Sequence, residues 1–473
     1  MDEISRLISD SFPDVAVNKG IAAKIGAGER AIPAFVRDWL VCRYSTHGEP
    51  DRERIQNFLS NHLPDKQQRD LLRNRLLEGQ QLTVLDGFEV SVDLNRGERI
   101  LKIPSLDIFD ARISGQIIEN CPLLLSGSVW GAGKLEYRSG EDENKVWMTD
   151  FQPMQTAIVD LDYFISQRSR FTVTQWQALL LLSMGYEPSQ YTADQQFWLI
   201  SRMALLVHPR VNLIELAPKG TGKSYVFSQL SKYGWLISGG VVTRAKLFYD
   251  MSTKTPGVIT KYDAIILDEV QTIRLQDEGE IVGAMKNYLE YGEFRVMGFS
   301  GNSEAGCALL ANIPMGSDGK PTRLSDDSGT LFDTLPGWLH GKDATALLDR
   351  FHGLIPGWEI PRIQKHHIAT GTGLRADYFS EILHALRRRD EYMDFVLEHT
   401  HAPGSGDKRD VTAVQRLSAA FLRLFFPDMR VSCEEFEHFC LRPARTMRGM
   451  IRSQMALMDA EYKREVAPVQ CTL

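Results

Sequence analysis

Eight residues, Ala217-Pro218-Lys219-Gly220-Thr221-Gly222-Lys223-Ser224, directly follow the apolar run Val211-Asn212-Leu213-Ile214-Glu215-Leu216, and they constrain this chain more than anything else in it. A buried strand that feeds a glycine-bearing turn and then a helix makes a cradle for phosphate: backbone N–H groups converge on the anion and the helix presents its positive end. In that frame Lys223 reaches the β- and γ-phosphates and Ser224 offers its hydroxyl to Mg²⁺. The usual G-x-x-x-x-G-K-[ST] spacing begins here with alanine. That position opens the loop at negative φ, where a methyl group is tolerated, whereas Gly220 and Gly222 stand where backbone must approach phosphate closely. ATP with Mg²⁺ is the ligand such a loop takes. A second Gly-Lys, closing Ser126-Gly127-Ser128-Val129-Trp130-Gly131-Ala132-Gly133-Lys134, is followed by Leu135 and reads as a β-turn.

The residues downstream supply what hydrolysis needs. Ala264-Ile265-Ile266-Leu267-Asp268-Glu269 is an apolar strand ending in two acids, with Asp268 45 residues beyond Lys223. Asp268 is expected to hold Mg²⁺ through its water shell and Glu269 to polarise the attacking water. Cys307-Ala308-Leu309-Leu310-Ala311-Asn312 reads as another buried strand, whose terminal amide can bond both the γ-phosphate and that water; otherwise Asn312 merely opens the loop before Pro314. Arg350, after the apolar stretch Ala346-Leu347-Leu348-Asp349, is the candidate for a guanidinium supplied to a neighbouring subunit's phosphate, the alternative being an arginine paired with an acid on its own surface. Arg409 opens a lid-like helix and is placed to report nucleotide state to it.

The rest of the chain arranges itself around this core. Residues 1–80 carry helical periodicity, as in Ala31–Tyr44 and Asp65–Glu78, and form a helical N-terminal domain. From Gln81 the period changes to two: Leu82–Leu85, Phe88–Val92 and Ile100–Ile103 read as strands separated by Asp86-Gly87 and Asn95-Arg96-Gly97 turns. Residues 81–158 are therefore expected to make a small barrel, of the oligonucleotide-binding type by a further guess. A helical linker over 159–208 includes helices starting at Thr172 and near Asp194. The α/β core spans 209–375, and a helical lid with C-terminal tail spans 376–473.

A net charge of −7 excludes a uniformly basic nucleic-acid binder but not a basic channel inside an assembled ring. Six scattered cysteines with no C-x-x-C pair suit free thiols in a reducing cytoplasm, and no apolar run of membrane-spanning length occurs. Arg387-Arg388-Arg389 and the trio Arg445, Arg448, Arg452 read as solvated or subunit-contacting surfaces. Ser325 or Ser328 with Lys342 falls inside the ATPase segment and is not read as a Ser-Lys catalytic pair.

This order of motifs resembles the AAA+ class of ring-forming ATPases. Leu347-Leu348-Asp349-Arg350 is similar to the arginine-finger segment of Lon protease, and Arg409–Ser418 to the sensor-2 helix of the minichromosome maintenance helicases. More closely, the stretch Leu213–Ser224, Ser238-Gly239-Gly240, Leu247–Thr253 and above all His352-Gly353-Leu354-Ile355-Pro356-Gly357-Trp358-Glu359-Ile360-Pro361 resemble the BrxL family, the Lon-related proteins of bacterial BREX phage-defence systems. The resemblance implies an AAA+ core with helical lid in a homo-oligomeric ring, a hexamer or stacked hexamers, that encircles double-stranded DNA and works with other BREX proteins. Only about 45 residues follow Pro427, so the short form of the family, without the protease-like domain, is expected. Phe294–Phe299 and Ala305–Leu310, joined by Ser300–Ser303, would form the pore hairpin, with Arg295 on its flank. A protein unfoldase motor and an ATP-gated assembly switch are the competing readings.

Overall fold

The computed structural model describes residues 3–472, apart from 26–31, 47–48, 95, 126, 141–143, 155–158, 297, 323–328 and 404–406. The chain divides into two compact units, Met1–Val159 with Thr370–Glu381, and Asp160–Ala369 with Ile382–Leu473.

In the first unit, helices Ala34–Arg43, Arg52–His62 and Arg69–Leu77 precede a closed five-stranded barrel. Its strands are β1 (Leu82–Asp93), β2 (Glu98–Ile103), β3 (Ile108–Ile113), β4 (Val129–Ser139) and β5 (Asn144–Pro153). They close in the order β1-β2-β3-β5-β4, antiparallel except where β3 runs beside β5. A helix, Gly115–Asn120, joins β3 to β4. Alternate side chains of the strands, among them Val84, Phe88, Leu101, Ile103, Ala111, Leu135 and Met148, fill the interior. The segment Thr372–Leu374, at the expected junction of core and lid, pairs instead with Ala16–Asn18 in this unit.

Two turns expected here are strand. Asp86-Gly87 lies within β1, where the Asp86 carboxylate accepts the N–H groups of Gly87 and Ser105, both at 2.8 Å. Gly87 belongs there because a Cβ would stand 2.7 Å from Ser128 Oγ, not because the chain reverses. Trp130–Lys134 likewise runs within β4: Gly131 lies where a Cβ would meet the Gln152 carbonyl at 2.5 Å, and Gly133 where it would meet the Phe88 ring at 2.6 Å.

The second unit is built on a parallel sheet of β6 (Asn212–Ala217), β7 (Gly234–Val242), β8 (Ala264–Leu275), β9 (Gly306–Asn312) and β10 (Gly353–Pro356), ordered β7-β8-β9-β6-β10. Every residue of β6 is buried, as a central strand covered on both faces requires. Helices Val173–Met184 and Ala193–Ser201 each start with a capping box, Thr172 with Gln175 and Thr192 with Gln195. The hairpin is shorter than expected: Glu293–Val296 pairs with Phe299–Asn302, while Gly306–Asn312 is the sheet strand β9. Arg295 is exposed on it, opposite Ser300.

Two arginine groups expected at the surface include buried members. Arg387 donates to the carbonyls of Leu205 at 3.0 Å and His208 at 2.7 Å, satisfying groups at a helix end. Arg448 is 0% exposed and bonds Asp410 at 2.8 Å and Asp349 at 2.5 Å, with Arg452 beside them. A run of arginines in sequence carries no sign of the interior acids and carbonyls that accept it.

Candidate nucleotide site

Two strand ends and an irregularity within a third converge at the carboxyl edge of the sheet, where ligands of open α/β folds bind; the strand expected to end in Asp268-Glu269 continues instead to Leu275. Strand β6 ends in Ala217, which is fully buried and pairs with Asn312 at the end of β9; β8 delivers Asp268 beside them. The loop from Pro218 turns through Gly220 at φ +87° and Gly222 at φ +73°, values that side-chain-bearing residues rarely take. A Cβ on Gly222 would also strike Ile363 Cδ1 at 2.4 Å. Lys219 and Gly220 are exposed, while Thr221 and Lys223 are buried. Lys223–Tyr225 continues into a π-helical turn, Val226–Leu230.

The polar side chains at this edge are already paired with one another. Lys223 Nζ donates to Asn312 Oδ1 at 2.8 Å and to the Pro218 carbonyl at 3.2 Å. Burial pushes the Lys223 ammonium below its ordinary pKa, against the pull of Glu215. Ser224 Oγ donates to Asp268 Oδ2 at 2.6 Å. A hydroxyl and a carboxylate meeting at this edge are hard oxygen donors of the kind Mg²⁺ takes, so the residues present fit that ion.

Glu269 is exposed and sits at φ +51°, an uncommon state for an acidic residue. Its N–H is held by Asp268 Oδ1 at 2.9 Å and its carbonyl accepts from Thr272 Oγ1 at 2.9 Å. The β7–β8 register jumps here, from Ser238 opposite Asp268 to Gly240 opposite Ile273. Four residues of β8, Glu269 to Thr272, thus stand opposite the single residue Gly239, an irregularity that interrupts the ladder at Glu269.

Arg350 and Arg409 lie elsewhere. The Arg350 carbonyl accepts from Asn212 Nδ2 at 3.1 Å, at the opposite end of β6 from the loop. Five residue steps along β6 lead from Asn212 to Ala217, about 17 Å at the usual rise. Arg350 Nε bonds the Lys286 carbonyl at 2.7 Å and pairs with Glu290 at 3.3 Å. Arg409 bridges the same Glu290, at 3.0 Å, and Asp349, at 2.9 Å. The structure thus brings together the loop, Asp268, Glu269 and Asn312, and sets Arg350 and Arg409 together at the far end of the strands. Ser325 and Ser328 lie outside the described residues.

One group beneath the loop escapes a reading of motifs. Arg202 is 0% exposed and pairs with Glu215, itself 1% exposed in the middle of β6, while also donating to loop carbonyls. An acid inside the run Leu213-Ile214-Glu215-Leu216 is the available sign, since a carboxylate there needs a buried cation. The block His352–Pro361 also has its explanation here. It forms β10 and a turn in which a Cβ on Gly357 would meet Ala217 Cβ at 2.5 Å, while Glu359 accepts from Trp198 Nε1 at 2.8 Å.

Residues 146–467 match the family model described as Lon-like protease BrxL-like, ATPase domain, and residues 10–137 match BREX system Lon protease-like protein BrxL N-terminal. The Lon-like protease BrxL of Bacillus cereus (strain H3081.97) is 27% identical over 463 residues, covering 96% of this chain and 67% of the relative. That of Escherichia coli O9:H4 (strain HS) is 27% identical over 462 residues, covering 96% and 65%. The chain therefore spans about two thirds of the length of these curated relatives. Among the described residues no helix is long and apolar enough to cross a membrane. With matches along both units, and with residues 217–224, Asp268 and Glu269 inside the matched ATPase segment, the chain belongs to the BrxL family and carries its ATPase domain, of AAA+ type.

Proposed function

We propose that the chain is one subunit of a cytoplasmic, ATP-hydrolysing homo-oligomeric ring, a hexamer or stacked hexamers, that binds and translocates on or remodels double-stranded DNA in BREX defence. The observation that carries the reading is the separation of the candidate groups. Lys223, Ser224, Asp268, Glu269 and Asn312 stand at one end of the parallel strands, and Arg350 and Arg409 at the other, held by Glu290 and Asp349. One copy cannot bring both sets to a single phosphate; a head-to-tail neighbour can.

Within the site, loop N–H groups and Lys223 bind the phosphates, Asn312 orients the attacking water, and Glu269 takes its proton. Ser224 and Asp268 would hold Mg²⁺, which when bound neutralises charge on the phosphate oxygens. A neighbour's Arg350 stabilises the charge that develops on the transferring group. Helices Glu391–Glu398, Lys408–Phe425 and Arg442–Met458 serve as the lid.

Support for DNA as substrate comes from the barrel: the order β1-β2-β3-β5-β4, with one parallel contact and a helix between β3 and β4, suits the oligonucleotide-binding type. The exposed Arg295 on the Glu293–Asn302 hairpin is a second candidate contact. ATP turnover is read on the purified protein alone and with duplex DNA, single-stranded DNA or unfolded protein. Duplex DNA is expected to stimulate most; stimulation by unfolded protein alone would overturn the DNA reading.

A further inference from the structure

Arg202 has a geometry that a merely space-filling buried residue would not need. It follows the helix Ala193–Ser201 and is 0% exposed. Glu215 holds its guanidinium flat, through Nε to Oε2 at 3.0 Å and Nη2 to Oε1 at 2.6 Å. Of the remaining hydrogens of the fork, two reach the phosphate loop, Nη2 donating to the Thr221 carbonyl at 3.2 Å and Nη1 to the Gly222 carbonyl at 3.4 Å, and the last goes from Nη1 to Tyr186 Oη at 3.2 Å. One residue earlier, the Gly220 carbonyl accepts the Ile363 N–H at 2.8 Å.

Three successive loop carbonyls, of Gly220, Thr221 and Gly222, are thus drawn to the protein side. In a planar trans peptide the C=O and the following N–H point in opposite directions. Holding those carbonyls inward therefore turns the N–H groups of Thr221, Gly222 and Lys223 toward the open side of the loop. Those are the donors an incoming phosphate requires. A buried Arg–Glu pair is a weak source of stability, since apolar residues of similar volume can replace it with little loss. What apolar residues cannot do is hold carbonyls.

We propose that Arg202, clamped by Glu215, is a positioning residue that pre-orients the N–H groups of the phosphate loop toward the β- and γ-phosphates. The proposal rests on the assignment of this loop to ATP. It differs from that assignment in what breaks it.

The test uses the full chain with ATP and ADP as probes. The double variant R202M/E215L removes the pair without leaving a buried charge, and R202K keeps the charge but loses the planar fork. Affinities are measured well below each variant's melting temperature. Loss of two charge-assisted hydrogen bonds to the loop predicts a rise of about 10- to 100-fold in Kd for both nucleotides in R202M/E215L, and a smaller rise in R202K. Since the loop is misaligned before substrate arrives, kcat/KM should fall more than kcat, a split that a general loss of stability would not produce. An unchanged ATP Kd in folded R202M/E215L overturns the proposal. If that variant does not fold, an unchanged Kd in R202K overturns it. Wild-type affinity that is lost in K223A but retained in both Arg202 variants sinks this inference alone, whereas no ATP binding by the wild type sinks the nucleotide assignment with it.

Discussion

Glu269 is exposed directly after the buried run Ala264–Asp268, inside the longer strand β8, and its backbone stands at φ +51°. Positive φ in a residue other than glycine, asparagine or aspartate is strained, and such strain collects where surrounding structure fixes a side chain for chemistry. The bulge over Glu269–Thr272 and the bonds from Asp268 and Thr272 hold it. Glu269→Gln keeps the shape and removes the base. Turnover is expected to fall about 100-fold or more while ATP binding stays within a few-fold of wild type; nucleotide-binding and steady-state hydrolysis assays check both, and unchanged turnover would remove Glu269 from the mechanism. At this scale the loop, Asp268, Glu269 and Asn312 were legible because each follows an apolar run that can only be a buried strand. Arg202 was not, since Glu215 in the apolar run shows only that some buried cation is needed, and the loop carbonyls that Arg202 also bonds lie 19 and 20 positions further along the chain.

Strand beginnings matter as much as strand ends. His352, just before β10, accepts the Asn212 N–H at the start of β6 through Nδ1 at 2.8 Å. Burial holds its pKa well below the ordinary imidazole value, reinforced by Arg416 and Arg448. His208 is likewise driven down by burial and by Arg423. Both are neutral in the folded protein. As pH falls through the unfolded imidazole value, about 6.5, the unfolded chain takes up two protons that the folded chain does not. Stability present above that value is therefore lost as pH falls below it. Denaturant melts of the wild type and of His352→Gln between pH 7 and 5 check this: the variant should lose less stability over that range, and an equal loss would show that His352 is not one of the groups.

Element types were readable wherever burial followed period, as in β6, β8 and the helix after Thr172. They were misread where glycine and aspartate serve packing, as at Asp86-Gly87 and Gly131–Gly133, because sequence does not say whether a missing Cβ avoids a neighbour or permits a turn. The hairpin was misjudged for a related reason. Ser300–Ser303 looks like a connection until the pairing of Phe299–Asn302 with Glu293–Val296 is seen.

For the whole molecule, the arginines decide the account. Arg350 could be a donated finger or a surface arginine paired with an acid, and in the single chain it is indeed paired, with Glu290. That pairing stands beside Arg409 at the end of the strands away from Lys223, so a role in catalysis requires a second copy. Arg448 and Arg452, read as a contact surface, are instead the interior counter-charges of Asp349 and Asp410, next to that same pair. Sequence could not distinguish these fates, because the acids involved lie 38 to 119 positions away from the arginines they face.

The central claim, that the catalytic site forms between subunits, is tested by mixing two inactive proteins. K223A lacks a working phosphate loop but keeps Arg350; R350A keeps the loop but donates no finger. Mixed in equal amounts and allowed to exchange subunits, they are predicted to regain about a quarter of wild-type ATP turnover, because a random head-to-tail ring joins an intact loop to an intact Arg350 at that fraction of its interfaces. Turnover no greater than the sum of the separate proteins, with mixed assembly verified, would contradict the account.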